Sequence, residues 1–292
     1  MDATIIARED HHVGAARDGI TDFALVAKAS ADRKGQNQRK EEKPLNLTGM
    51  RRLGRRLMRY VLRRVGLELH RAAPCGADLG DDLRALVRAP HPVVLDVGAN
   101  AGQFLTAVRS ALPHAAIHAF EPSPEVFETL QASCAGLPRV TPNNVALGVR
   151  CGEGTLLEHT DSVMSSFLPP VDGGWEVIRR KTPVPVLMVD RYCAERGIEQ
   201  IDLLKTDTEG YDPEVLRGAE RMLREGRVSL VLAELLFRPL YRGLAEPDAI
   251  YRHLRERGFR LVTCYRMHYY EGLADAQDAL FVHTPDRPAT KK

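Results

Sequence analysis

From Val93 onward, apolar residues fall into two alternating kinds of run, one continuous and short, the other spaced as on a helix. Val93–Val97 is apolar apart from Asp96 and leads into a glycine turn. Beyond Gln103, the residues Phe104, Leu105, Val108 and Leu112 share one side of a helix. A short run rich in β-branched residues predicts a strand buried on both faces, as in a parallel sheet. The alternation repeats. Ala116–Phe120 predicts a second strand, followed by a helix with Ser123 as its cap, Pro124 first, and Val126, Phe127 and Leu130 facing inward. Further strands are predicted at 140–145, 154–159, 184–189, 201–206, 228–235, 259–265 and 279–283. Helices are predicted at 190–196, from Asp212 as N-cap with Pro213 first, and at 246–257, closed by Gly258. Strands alternating with helices predict an α/β fold around a mainly parallel sheet. The stretch 161–175, with its prolines, glycines and the single tryptophan Trp175, fits no regular element and is read as a lid, a substrate wall or a plain connection.

The first ninety residues differ. The charged run 33–43 has nothing to bury, so residues 1–49 are expected to be a disordered extension, and Met50 is a candidate translation start. Between 50 and 65, Leu53, Leu57, Tyr60 and Val61 share one helical face and Arg51, Arg52, Arg55, Arg59 and Arg63 the other. This basic amphipathic helix either packs on its own domain or rests on anionic lipid. Residues 66–91 are read as a helical lead-in, 92–284 as the main domain and 285–292 as a polar tail. A net charge of +2 points to no polyanionic partner. Five scattered cysteines without ligand spacing give no case for zinc or a disulfide framework. With no membrane-length apolar run and no signal-peptide pattern, the expected location is cytoplasmic, with peripheral contact at the inner face of a membrane if 50–65 lies on lipid.

The turn after the first strand carries the chemistry, because ligands of open α/β sheets bind at such strand ends. It reads Asp96-x-Gly98-x-Asn100-x-Gly102 rather than G-x-G-x-x-G. Gly98 is expected to admit a ligand close to the backbone, and Asn100 tolerates a left-handed conformation. Gly102 is expected to start the helix close to the strand, with free N–H groups that favour an anion. Asp96 is placed to accept from a cationic amine. Glu121, ending the second strand, is placed to take both ribose hydroxyls of a nucleoside.

The block D-V-G-A-N-A-G (96–102), followed by F-E-P (120–122), resembles the S-adenosylmethionine-dependent methyltransferases and, more narrowly, the FkbM family. Two further blocks arrive in family order: Asn144-x-Ala146-Leu147-Gly148, and Lys205-Thr206-Asp207-Thr208-Glu209-Gly210, in which Thr206 replaces the commoner isoleucine. The resemblance implies a Rossmann-like class I methyltransferase with a mostly parallel seven-stranded sheet, helices on both faces and an antiparallel last strand. It also implies S-adenosylmethionine as methyl donor, Asn144 and Ala146 near the adenosine, and O-methylation of a sugar in a glycolipid or polysaccharide, or of a polyketide-type product.

An alcohol acceptor must lose its proton as the new bond forms, so a nearby base helps. Asp207 and Glu209 are the candidate catalytic acids, either one serving as base or orienting the acceptor. Asp207 and Glu234 could also hold a divalent metal, but Leu235 follows Glu234 where an Asp-Asn pair is expected, so metal-independent chemistry is favoured. His268 is read as an exposed loop histidine. No N-P-P-Y or D-P-P-Y block occurs and aromatic content is 6%, which argues against nucleic acid as substrate. Two rivals remain: an NAD(P)-dependent oxidoreductase, and a non-catalytic protein of the same fold that binds partners or membrane.

Overall fold

A computed structural model describes residues 3–7, 67–71, 75–171 and 177–284. The chain divides into two compact units, Met1–Ala72 and Ala73–Lys292. In the smaller unit, β1 (Ala3–Ala7) pairs antiparallel with β2 (Leu67–Arg71), Ala3 opposite Arg71. This differs from the expectation of an unstructured start and, at 67–71, from the helical lead-in, whose periodic part from Leu79 to Val87 is helical as expected. The physical reason is local: Thr4, Ile5 and Ile6 are β-branched, and Leu67, Glu68, Leu69 alternate with the period of a strand. The basic helix anticipated at 50–65 lies outside the described residues.

The larger unit opens with α1 (Leu79–Leu86), capped by Asp78, which accepts from the Asp81 N–H at 2.8 Å. Leu83 of this helix is fully buried in the same core as the sheet, so the domain starts before the expected boundary at 92. The order continues β3 (Val93–Val97), α2 (Gln103–Ala111), β4 (Ala116–Phe120), α3 (Pro124–Cys134), β5 (Val140–Asn143), β6 (Ala146–Leu147), β7 (Gly152–His159) and β8 (Ile178–Leu187). It ends with α4 (Val189–Arg196), β9 (Ile201–Thr206), α5 (Asp212–Gly218), α6 (Glu220–Arg224), β10 (Val228–Leu236), α7 (Pro247–Arg255), β11 (Phe259–Cys264), β12 (Tyr269–Tyr270), β13 (Leu273–Ala274) and β14 (Ala276–His283).

Seven strands form the main sheet in the order β11-β14-β10-β9-β3-β4-β5. Only β14 runs against its neighbours; the order turns back on itself at β3 and β9, where chains leave in opposite directions. Alternate residues of each central strand feed opposite faces. Leu95, Val97, Leu204, Val231 and Phe281 join one core cluster, while Val94, Ile117, Leu203, Leu230 and Leu280 join the other. Burial on both faces is why these strands read as continuous apolar runs.

A smaller sheet of β6, β8 and β7 flanks the main one. The first half of β8, with Arg179, Arg180 and Lys181 exposed, extends beyond the strand expected from 184, because this half pairs with β7 alone and its polar residues carry no apolar alternation. Asp212, the expected cap of α5, is instead its first helical residue, and its buried carboxylate reaches back to the Thr208 N–H at 3.3 Å and Oγ1 at 2.9 Å. Burial first, then the Asp207 charge, pushes its carboxyl up to about 6. Asp212 thus closes the 207–210 loop rather than the helix end.

Candidate active site

A cavity of about 530 Å³ opens at the carboxyl ends of β3, β4, β9 and β10, beside the point where the strand order reverses. Gly98, Asn100, Glu121 and Ala146 line it, as do Asp207, Glu209 and Glu234. Asp96, Gly102 and Asn144 do not. His268 sits outside it, its backbone N–H bonded to the Ala276 carbonyl.

The glycine turn is built by local necessity. Gly98 has φ 77° and Asn100 φ 47°, both left-handed. A Cβ on Gly98 would lie 1.8 Å from the Asp207 carbonyl oxygen, so the glycine lets the β3 and β9 loops touch beside the cavity that it lines. At Gly102, which precedes α2 with φ 94°, a Cβ would press on Leu105 at 3.0 Å. Its role is packing.

Every N–H of this turn is already used. Gly98 and Ala99 donate to the Phe120 carbonyl at 3.1 and 2.9 Å, Asn100 to Glu121 Oε2 at 3.1 Å, Ala101 to Asn100 Oδ1 at 2.7 Å, and Gly102 to the Ala99 carbonyl at 2.8 Å. The N–H groups of residues 98–102 thus hold a protein carboxylate and one another's carbonyls, while the start of α2 at Gln103 has no side-chain cap. That carboxylate, Glu121, also accepts from the Ser123 N–H at 2.8 Å. Burial pushes it up to about 7, partly offset by those two N–H bonds. Each carboxylate oxygen keeps a lone pair for a hydroxyl donor. Asn144 donates to the carbonyls of Glu121 and Pro122 at 2.9 and 3.1 Å, clamping the turn that carries Glu121.

Asp96 has a cation, but from the chain itself. Lys205 Nζ lies 3.1 Å from Asp96 Oδ1 and 3.2 Å from Asp207 Oδ2, and donates to the Gly98 carbonyl at 3.1 Å. Burial opposes the ammonium, yet Asp207 and Asp96 together outweigh it and hold Lys205 above the ordinary lysine value. Sequence reasoning misses Lys205 as a site residue. Its signal is nonetheless there: a charged side chain inside a strand otherwise read as buried.

On the far side, Glu209 has φ 51° and is held from two directions. Its carbonyl accepts from Ser166 Oγ at 2.7 Å, and its Oε2 lies 2.9 Å from Tyr241 Oη. Tyr241 Oη also lies 3.0 Å from the Met164 carbonyl. The one phenolic hydrogen thus has two acceptors in reach, the Glu209 carboxylate and the Met164 carbonyl. Burial first, then Asp207, pushes Glu209 up to about 8, with Tyr241 pulling the other way. Nothing in the sequence marks Tyr241, which an irregular segment delivers. Glu234, on β10 opposite Asp278 of β14, is pushed well above the usual range by burial and then by the charges of Asp207 and Glu209.

Strand order, the reversal point and a cavity at that point define a Rossmann-like domain of the class I methyltransferase kind. The match to known families then narrows the class: the Methyltransferase FkbM domain spans residues 96–261, and the chain belongs to that family. The chain is 27% identical to 2-O-methyltransferase NoeI of Sinorhizobium fredii (strain NBRC 101917 / NGR234), over 54% of this chain and 69% of that one. It is 30% identical to the 31-O-demethyl-FK506 methyltransferase FkbM of Streptomyces tacrolimicus, over 45% of this chain and 60% of that one. Among solved structures, magnesium protoporphyrin IX methyltransferase (ChlM) from Synechocystis PCC 6803 with bound SAM aligns with a TM-score of 0.42 at 10% identity, covering 84% of this chain and 87% of that chain. The strand order, not that likeness, fixes the fold.

Proposed function

We propose that this chain transfers a methyl group from S-adenosylmethionine to a hydroxyl of a sugar or of a polyketide-type small molecule. The observation that carries the reading is the charge of the cavity. Among the described residues, Glu121, Asp207, Glu209, Glu234 and Asp278 line it against a single lysine, Lys205, and the turn N–H groups are all engaged. An anionic pyrophosphate would meet carboxylates, which disfavours a dinucleotide. A cationic sulfonium with a ribose diol matches both features. S-adenosylmethionine, when bound, supplies an electrophilic methyl group on sulfur.

The chain's own residues do the rest. Glu121 accepts from the ribose hydroxyls, while apolar Val97, Ala99, Phe120 and Leu147 give the nucleoside a dry wall. Asp207 and Glu209, at the end of β9, orient the acceptor hydroxyl and receive its proton. The acceptor class comes from the two relatives, both named for transfer to oxygen. A lipid-linked acceptor would give residues 50–65 a reason to meet anionic membrane, which co-sedimentation with phosphatidylglycerol vesicles tests. Among the described residues no helix is long and apolar enough to cross a membrane.

Calorimetric titration with S-adenosylmethionine, S-adenosylhomocysteine and NADH tests the cofactor. Binding of the two adenosyl ligands alone is expected; binding of NADH alone would sink the proposal. Because Glu121 binds the diol as a carboxylate and titrates at about 7, affinity should fall as pH drops. The apparent Kd is expected to rise about tenfold from about pH 8 to about pH 6. Glu121→Gln should flatten that dependence, and an equally steep slope in the variant would remove Glu121 as its source.

A further inference from the structure

We propose that Asp207, Glu209 and Glu234 form a binding site for one hard divalent cation at the acceptor end of the cavity. One carboxylate oxygen from each lies within 4.8 Å of the other two. Proximity of acids alone would prove little. Glu234 adds a separate observation: its Oε2 is sealed from solvent and has no hydrogen-bond partner, although the side chain lines the cavity beside the other two. A buried oxygen without a donor is costly, and a cation is the partner that three converging carboxylates would accept.

The local charge balance agrees. Lys205, the one cation among the described lining residues, is already committed to Asp96, Asp207 and the Gly98 carbonyl. An all-oxygen donor set suits magnesium, manganese or calcium rather than zinc. Three protein oxygens leave positions open for water and for an acceptor hydroxyl. The ligand set differs from the Asp-Asn pair sought in the sequence: the third oxygen comes from Glu209, two residues after Asp207, instead of from position 235. The consequence for the acceptor rests on the methyltransferase reading; the site itself rests on the carboxyl geometry.

The test uses the full chain, stripped with EDTA and desalted, then titrated with manganese while free manganese is followed by electron paramagnetic resonance. Magnesium and calcium serve as competitors, and S-adenosylmethionine binding is measured in parallel without metal. One saturable manganese site per chain is expected. Glu234→Gln and, separately, Asp207→Asn should each weaken it by roughly tenfold or more, since site affinity follows ligand charge. Glu128→Gln, an exposed acid on α3, should leave it unchanged. Two variants are used so that misfolding of one leaves the other informative. No saturable binding by the wild-type chain, or undiminished binding by both variants, overturns the cation site. S-adenosylmethionine binding without manganese binding overturns only this inference, whereas manganese binding without the adenosyl ligand supports it and overturns the cofactor reading.

Discussion

Lys205→Met is expected to cost roughly 3–5 kcal/mol of folding stability, read from urea denaturation midpoints at constant slope. The cause is stranded charge. Asp96 has no exposed surface and Lys205 only 7%. Burial, with the Asp207 charge behind it, drives the Asp96 carboxyl upward, and the Lys205 ammonium at 3.1 Å is what pulls it back. Methionine fills a similar volume but removes the cation, so the aspartate must either stay charged in an apolar layer or take up a proton. Asp96→Asn should cost much less, because Lys205 keeps Asp207 as partner. The two substitutions combined should be less damaging than their sum, by about 1–3 kcal/mol in a double-mutant cycle. A loss below about 1 kcal/mol for Lys205→Met would mean that Asp96 is already neutral in the folded protein.

That ion pair also shows where sequence reading stops. The sheet, its two-faced burial and the reversal point are legible, because runs such as Val93–Val97 and Ile201–Thr206 state their environment directly. Glu121 and the Asp207–Glu209 pair are legible too, since strand-end positions follow from chain order. What each residue touches is not. On sequence alone Asp96 suits an external amine, yet Lys205, far along the chain, occupies that place; Gly98 lines the cavity, but its contact with the Asp207 carbonyl has no mark in the sequence. Contacts across the β3–β9 junction depend on register, and register between strands so distant in sequence leaves no mark on either strand alone. The same limit hides Tyr241.

Glu209→Gln is expected to lower kcat by about 10²–10⁴-fold, the range for losing a positioned proton acceptor, while the affinity for S-adenosylmethionine changes less than about twofold. Glutamine keeps the shape and its amide oxygen can still accept from Tyr241, so the left-handed backbone at 209 and the Ser166 bond to its carbonyl survive. Only the ability to accept a proton, or to bind a cation with full charge, is lost. Tyr241→Phe separates these from mere positioning. Without the phenol, Glu209 loses its partner and its place, so kcat should fall by a smaller factor, about tenfold, with KM for the acceptor rising. Adding manganese to the two variants then divides the roles. If Glu209 acts chiefly as a cation ligand, saturating metal restores part of the activity of Glu209→Gln. If it acts chiefly as the proton acceptor, metal restores nothing, because the lost group has no substitute in solution. Unchanged turnover in Glu209→Gln would take the residue out of the chemistry and leave Asp207, on the solvent side of the same loop, as the acid that meets the acceptor.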